Sequence, residues 1–182
     1  MAGQILVDAG YPPIGIDHFA PADDGLAVAA ANGKLRRNFQ GYTDDPHSTL
    51  IGLGSSSVSK FQCGYAQNVT AIGGYQRALS AGRLPTVMGI RLTADDRARQ
   101  WLIERLMCDF AFSTRELIDQ FGPVGRTLVA EACFIAAEPD NCLCHEGELC
   151  RLPDHAHAFV WSIAARFDPF FRTGNARHSA AV

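Results

Sequence analysis

Between Thr93 and about Phe110 the apolar residues Leu102, Ile103, Leu106, Met107 and Phe110 recur at i, i+3 and i+4, which puts them on one face of a helix. Thr93 suits the N-cap, and Asp95 and Asp96 fall in the first turn, where carboxylates complement the helix dipole. Similar helical texture runs through residues 73 to 171. It predicts a helix around Gly74 to Ala81 stopped by Gly82 and Pro85, a helix from the Ser113/Glu116 capping-box pattern to Phe121, and another from about Val124 to Ala137. Cys142 to Cys144 and Leu149 to Leu152 pattern as a hairpin around Glu146-Gly147, after which Asp154 opens a last helix to Phe170. A long helix followed by helix, helix, hairpin and helix is a winged-helix-like order.

Residues 1 to about 70 read differently, as short apolar runs broken by Gly and Pro. Ile5 to Ala9 looks like a helix end closed by Gly10, and Ile14 to Phe19 like one short buried strand. Asp23 or Asp24 is placed to cap a helix carried by Leu26 to Ala31 and stopped by Gly33. Strands are expected at Leu35 to Tyr42 and Ser56 to Phe61, on either side of Asp44-Asp45-Pro46-His47 and Gly52-Leu53-Gly54. The change in texture puts a domain boundary near Ala66 to Gly74.

With 182 residues, 47% of them hydrophobic and 19% charged, the chain is expected to fold rather than stay disordered. Its six cysteines match no secreted disulfide framework, Met1-Ala2-Gly3-Gln4 opens no signal peptide, and no window holds eighteen uninterrupted apolar residues. These features point to the cytoplasm, with reduced thiols and no membrane span. A net charge of −3, with no basic block longer than Arg36-Arg37, argues against nucleic acid. The helix that would read DNA, Val124 to Ala137, offers Arg126 but also Glu131 and is otherwise apolar, as a core helix is. The amphipathic stretches are acidic or mixed on their polar sides, which argues against a membrane surface as well.

Several segments invite chemistry. Cys142-Leu-Cys144-His145 with Cys150 offers thiolates and imidazole, but a one-residue gap is short of a zinc knuckle, so no metal site is assigned. Gly52-Leu53-Gly54-Ser55-Ser56-Ser57 lacks both the third glycine of a dinucleotide fingerprint and the Gly-Lys-Ser/Thr of a P-loop. A tight turn allowing close backbone approach fits it better. His18 beside Asp17 suits a rim histidine as readily as a catalyst. Arg36-Arg37-Asn38-Phe39-Gln40-Gly41-Tyr42 gathers guanidinium groups, amides and aromatic rings suited to an adenine or to carboxylates, although a strand with a polar face explains it equally well.

Taken together, Gly15-Ile16-Asp17-His18-Phe19-Ala20, Gly33-Lys34-Leu35-Arg36-Arg37-Asn38-Phe39-Gln40-Gly41-Tyr42-Thr43, Ile51-Gly52-Leu53-Gly54 with Ser57-Val58-Ser59, and Tyr65-Ala66-Gln67-Asn68 resemble the oxygen-independent coproporphyrinogen III oxidases. These are radical S-adenosylmethionine (SAM) enzymes of haem synthesis. The resemblance continues through Gly82-Arg83-Leu84-Pro85, Asp95-Asp96-Arg97 and Leu106-Met107-Cys108-Asp109-Phe110, and Asn175-Ala176-Arg177-His178-Ser179 is similar to the end of alphaproteobacterial members. It covers nearly the whole chain but only the C-terminal portion of the family. The fold it implies is an α/β fragment: residues 1–68 form the end of a radical SAM (β/α) barrel, and residues 69–182 a mainly helical, winged-helix-like domain.

In the family, Cys-x3-Cys-x2-Cys holds a [4Fe-4S] cluster whose electron cleaves SAM. The resulting radical starts the oxidative decarboxylation of two propionates, converting coproporphyrinogen III to protoporphyrinogen IX. None of the six cysteines here has that spacing, so no catalytic residue and no cluster ligand is expected in this chain. The resemblance implies that Phe39, Gln40 and Val58 contact SAM. His18, Arg36, Arg37 and Tyr42 are added as neighbours of the substrate carboxylates on chemical grounds alone. The expected partners are coproporphyrinogen III, SAM and a separate cluster-binding N-terminal half, the chain being a truncated gene product, an internal start or half of a split enzyme. The alternative is a non-enzymatic remnant that binds a porphyrin, haem or a partner, with His155, His157, Cys142 and Cys144 as candidate axial ligands.

Overall fold

The computed structural model describes residues 2–139 and 141–171; Asn175 to Ser179 lies outside them. The chain opens with α1 (Ala2–Asp8), then two two-residue strands, β1 (Pro13–Ile14) and β2 (His18–Phe19), paired antiparallel. The single strand expected at Ile14 to Phe19 is thus folded back on itself. Gly15, at φ +57°, starts the reversal in a conformation that disfavours any side chain. Helix α2 (Gly25–Ala31) follows, with Asp24 capping it by accepting from the Leu26 N–H at 2.8 Å.

The expected strand Leu35 to Tyr42 is also a hairpin, made of β3 (Arg36–Asn38) and β4 (Gly41–Thr43) with Phe39-Gln40 at the turn. The turn needs Gly41 at φ +136°, which a uniform strand does not. Strands β5 (Val58–Phe61) and β6 (Gly64–Asn68) form a third hairpin, and after α3 (Ile72–Ser80) strand β7 (Thr86–Arg91) adds to β6 in the order β5-β6-β7. Strand β7 eluded the sequence reading because all six of its residues are exposed, so no alternation marks it.

Helix α4 (Ala94–Asp109) is the spine. Thr93 and Asp96 form a full reciprocal capping box, and Phe110 ends the helix in the left-handed region at φ 55°. Then come β8 (Ala111–Ser113), α5 (Thr114–Phe121) and α6 (Pro123–Ala136), followed by the hairpin β9 (Cys144–Glu146) and β10 (Leu149–Arg151). The sheet order is β8-β10-β9, all antiparallel. Only the first half of the Ser113/Glu116 box forms: the Ser113 hydroxyl accepts from the Glu116 N–H. The expected last helix is a 3-10 turn, Asp154–Phe159, running into α7 (Val160–Arg166).

Two apolar clusters result. The larger joins Leu102, Leu106 and Met107 of α4 to Leu117, Leu128, Ile135, Leu143, Leu152, Val160 and Phe167. The smaller packs Ile14, Ala27, Ala29 and Leu35 against Cys108, on the opposite side of α4. One helix therefore seats both halves of the molecule. Every strand pair among the described residues is antiparallel, and the β6–β7 pairing crosses position 68. Among the described residues no helix is long and apolar enough to cross a membrane.

Candidate functional site

In an antiparallel hairpin successive side chains face opposite ways, so Arg36 and Arg37 part company although adjacent in sequence. Arg36 donates Nε–H to Glu104 of α4 at 2.7 Å, and the same carboxylate oxygen accepts the Arg37 backbone N–H at 3.1 Å. That hydrogen bond raises the Arg36 pKa above its already high ordinary value. Arg36 is thereby used up in joining β3 to α4. Arg37 faces Tyr42, its cross-strand partner, and lies over that ring and over the ring of Trp161 from α7, 4.9 Å from each centroid.

Tyr42 is fixed at its hydroxyl, which donates to the Met107 carbonyl at 2.9 Å and accepts the Ile16 N–H at 3.0 Å. Burial raises its pKa, so it stays a neutral phenol. Gly15 allows that approach: a Cβ there would sit 2.2 Å from the Tyr42 ring. His18 meets Tyr42 edge-on at 5.0 Å and holds Asp17 through Nδ1 at 2.8 Å. His18, Arg37 and Tyr42 thus form one group, whereas Arg36 is turned away from it.

Of the three residues expected to touch SAM, Phe39 and Val58 lie on one surface. Phe39, at the hairpin turn and exposed, meets Tyr65 of β6 edge-on at 5.3 Å. Val58 pairs with Gln67 and Lys60 with Tyr65, so the period-2 alternation puts Val58, Lys60, Tyr65 and Gln67 on one face of the sheet. Ile90 and Met88 of β7, both exposed, extend that face. Gln40 is exposed beside Phe39, its own N–H closing the turn onto Asn38 Oδ1 at 2.8 Å. A cleft of about 200 Å³ opens between Arg36, Thr43, His47, Leu50, Lys60 and Glu104.

Sequence reasoning missed Glu104, Tyr65 and Trp161 as members of this region. Tyr65 stood in a noted motif and is placed by strand alternation, but nothing local links Glu104 or Trp161 to the hairpin. Cys133 Sγ and His145 Nδ1 lie 3.5 Å apart, His157 lies flat on Phe110 at 3.6 Å, and among the described residues no three or more His, Cys, Asp or Glu are grouped to hold a metal. Burial pushes the Cys108 and Cys150 thiols up to about 12, which leaves them unreactive.

No protein-family model matches the chain. Curated relatives do. The chain is 42% identical over 183 residues to an oxygen-independent coproporphyrinogen III oxidase of Cereibacter sphaeroides, covering 100% of this chain and 40% of the relative. A Bradyrhizobium diazoefficiens protein of that name is 38% identical over 97% of the chain and 40% of its own length, and one from Pseudomonas aeruginosa is 43% identical over 69% of the chain. The chain thus spans about 40% of the relatives it matches along its whole length. Among solved structures, the coproporphyrinogen III oxidase HemN from Escherichia coli, described as a radical SAM enzyme, superposes with a TM-score of 0.84 at 31% identity, over 93% of this chain and 40% of that one. On sequence and fold together, the chain belongs to the oxygen-independent coproporphyrinogen III oxidase family, as the counterpart of the C-terminal part of its members.

Proposed function

We propose that this chain supplies the SAM- and porphyrinogen-facing wall of an oxygen-independent coproporphyrinogen III oxidase, working in the cytoplasm with a cluster-binding N-terminal part. The observation that carries the reading is the Phe39–Tyr65 contact, which brings the hairpin turn to the same sheet face as Val58. Phe39 offers a stacking face, Val58 a β-branched apolar wall, and Gln40 an amide able both to donate and to accept. These residues fit an adenosyl group. When bound at a reduced cluster, SAM supplies the radical that starts decarboxylation. The [4Fe-4S] cluster does not fit these residues, since the chain has no Cys-x3-Cys-x2-Cys.

In this reading residues 1–68 are the barrel end and 69–182 the helical domain, tied together by the β6–β7 pairing that crosses the division. The order α4, β8, α5, α6, β9, β10 supports a winged-helix-like arrangement for the second part. The haem-binding alternative has less support, because His157, one of its candidate axial ligands, is stacked flat on Phe110. The test mixes the chain anaerobically with the cluster-binding N-terminal part of a relative, SAM, a reductant and coproporphyrinogen III. Protoporphyrinogen IX is expected only when both parts are present, and less of it with Phe39→Ala or Gln40→Ala. Cluster absorbance and SAM cleavage by this chain alone, after reconstitution with iron and sulfide, would overturn the reading.

A further inference from the structure

The Arg37 guanidinium is left chemically unfinished by the packing around it. Arg36, Arg99, Arg105 and Arg166 each meet a carboxylate. Among the described residues Arg37 has no acidic partner and its guanidinium makes no hydrogen bond; its backbone N–H donates to Glu104. It is nevertheless half-buried and held in place, with one aromatic ring from β4 and one from α7 each 4.9 Å from its central carbon. Asp17, which acts electrostatically on Tyr42, is engaged by His18. A guanidinium held by its plane keeps its rigid fork of N–H donors available at the edge. Such a fork matches the two oxygens of a carboxylate, and charge-assisted bidentate pairing is among the stronger polar contacts. The clamp itself is anchored, since Tyr42 is pinned to Ile16 and Met107.

We propose that Arg37, clamped between Tyr42 and Trp161, is a preformed receptor for a carboxylate of the ligand, with Trp161 as the positioning residue that brings α7 into the site. That the ligand is a propionate-bearing tetrapyrrole rests on the function proposed above; the receptor chemistry does not. Arg36, consumed by Glu104, takes no part.

Two probes test this. Coproporphyrin III and its tetramethyl ester are titrated against the chain by Soret absorbance, and glutarate is titrated against a Trp101→Phe variant, in which Trp161 is the remaining one of the two tryptophans and reports by its emission. Arg37→Gln is expected to weaken coproporphyrin III binding about tenfold or more and flatten its salt dependence, while leaving the ester unaffected. Trp161→Ala should act in the same direction and Trp161→Phe should restore binding. Glutarate should change Trp161 emission only when Arg37 is present. The proposal is overturned if Arg37→Gln matches the unmodified chain in affinity and salt slope and glutarate leaves Trp161 emission unchanged. Silence from coproporphyrin III together with an Arg37-dependent glutarate response sinks the functional reading and keeps the receptor. Binding of coproporphyrin III without any dependence on Arg37 does the reverse.

Discussion

At the scale of single residues, Glu104 has more structural consequence than its place in a long polar helix face suggests. Its carboxylate accepts from both the Arg36 side chain and the Arg37 backbone, so it fixes the hairpin on α4. Glu104→Gln removes the charge from both bonds and is expected to cost about 1.5–3 kcal/mol in urea unfolding. The Thr93/Asp96 box gives a pH prediction. Bonds from the Thr93 backbone and hydroxyl hold Asp96 below its ordinary value of 3.8. Its stabilisation is therefore complete above that value and is lost as pH falls through the lower folded value. The gap in melting temperature between the unmodified chain and Asp96→Asn should be present at pH 7 and close as pH is lowered through and below 3.8. Arg36 and Arg37 show what local reading loses: as sequence they are a pair, and strand alternation makes one a structural tie and the other an open cation.

At the scale of elements, those whose signals are local were legible. The α4 boundaries, the Asp24 and Ser113 caps and the β9–β10 turn at Gly147 all follow from capping residues, apolar period or a glycine at positive φ. Two of the hairpins in the first half, β1–β2 and β3–β4, read as single strands because reversals over only three and two residues leave the apolar pattern nearly unchanged. Packing between elements sets tighter limits than their existence does. Gly125 of α6 lies against α5 so closely that a Cβ would fall 2.3 Å from the Leu117 carbonyl oxygen. Gly125→Ala should force the helices apart at a cost of about 1–3 kcal/mol, visible as a lower denaturation midpoint with unchanged m-value. Leu106, fully buried at the centre of the larger cluster, should cost about 2–5 kcal/mol as Leu106→Ala.

At the scale of the whole molecule, stability is uneven. Both apolar clusters lie along α4, and neither contains a residue from β5, β6, α3 or β7. That sheet is held chiefly by its own ladder, with Val87, Met88 and Ile90 exposed. Its amides should exchange through local opening well before those of Leu102 to Leu106, as hydrogen exchange can measure; equal protection would contradict this. The sequence by itself determined the family, the helices of the second half and the absence of the cluster motif, because capping, periodicity and contiguous motifs are properties of neighbours along the chain. Only the tertiary structure decided that Arg36 belongs to Glu104, that Phe39 and Val58 share a face, and that Trp161 closes over Arg37, since each of these depends on which distant elements pack together.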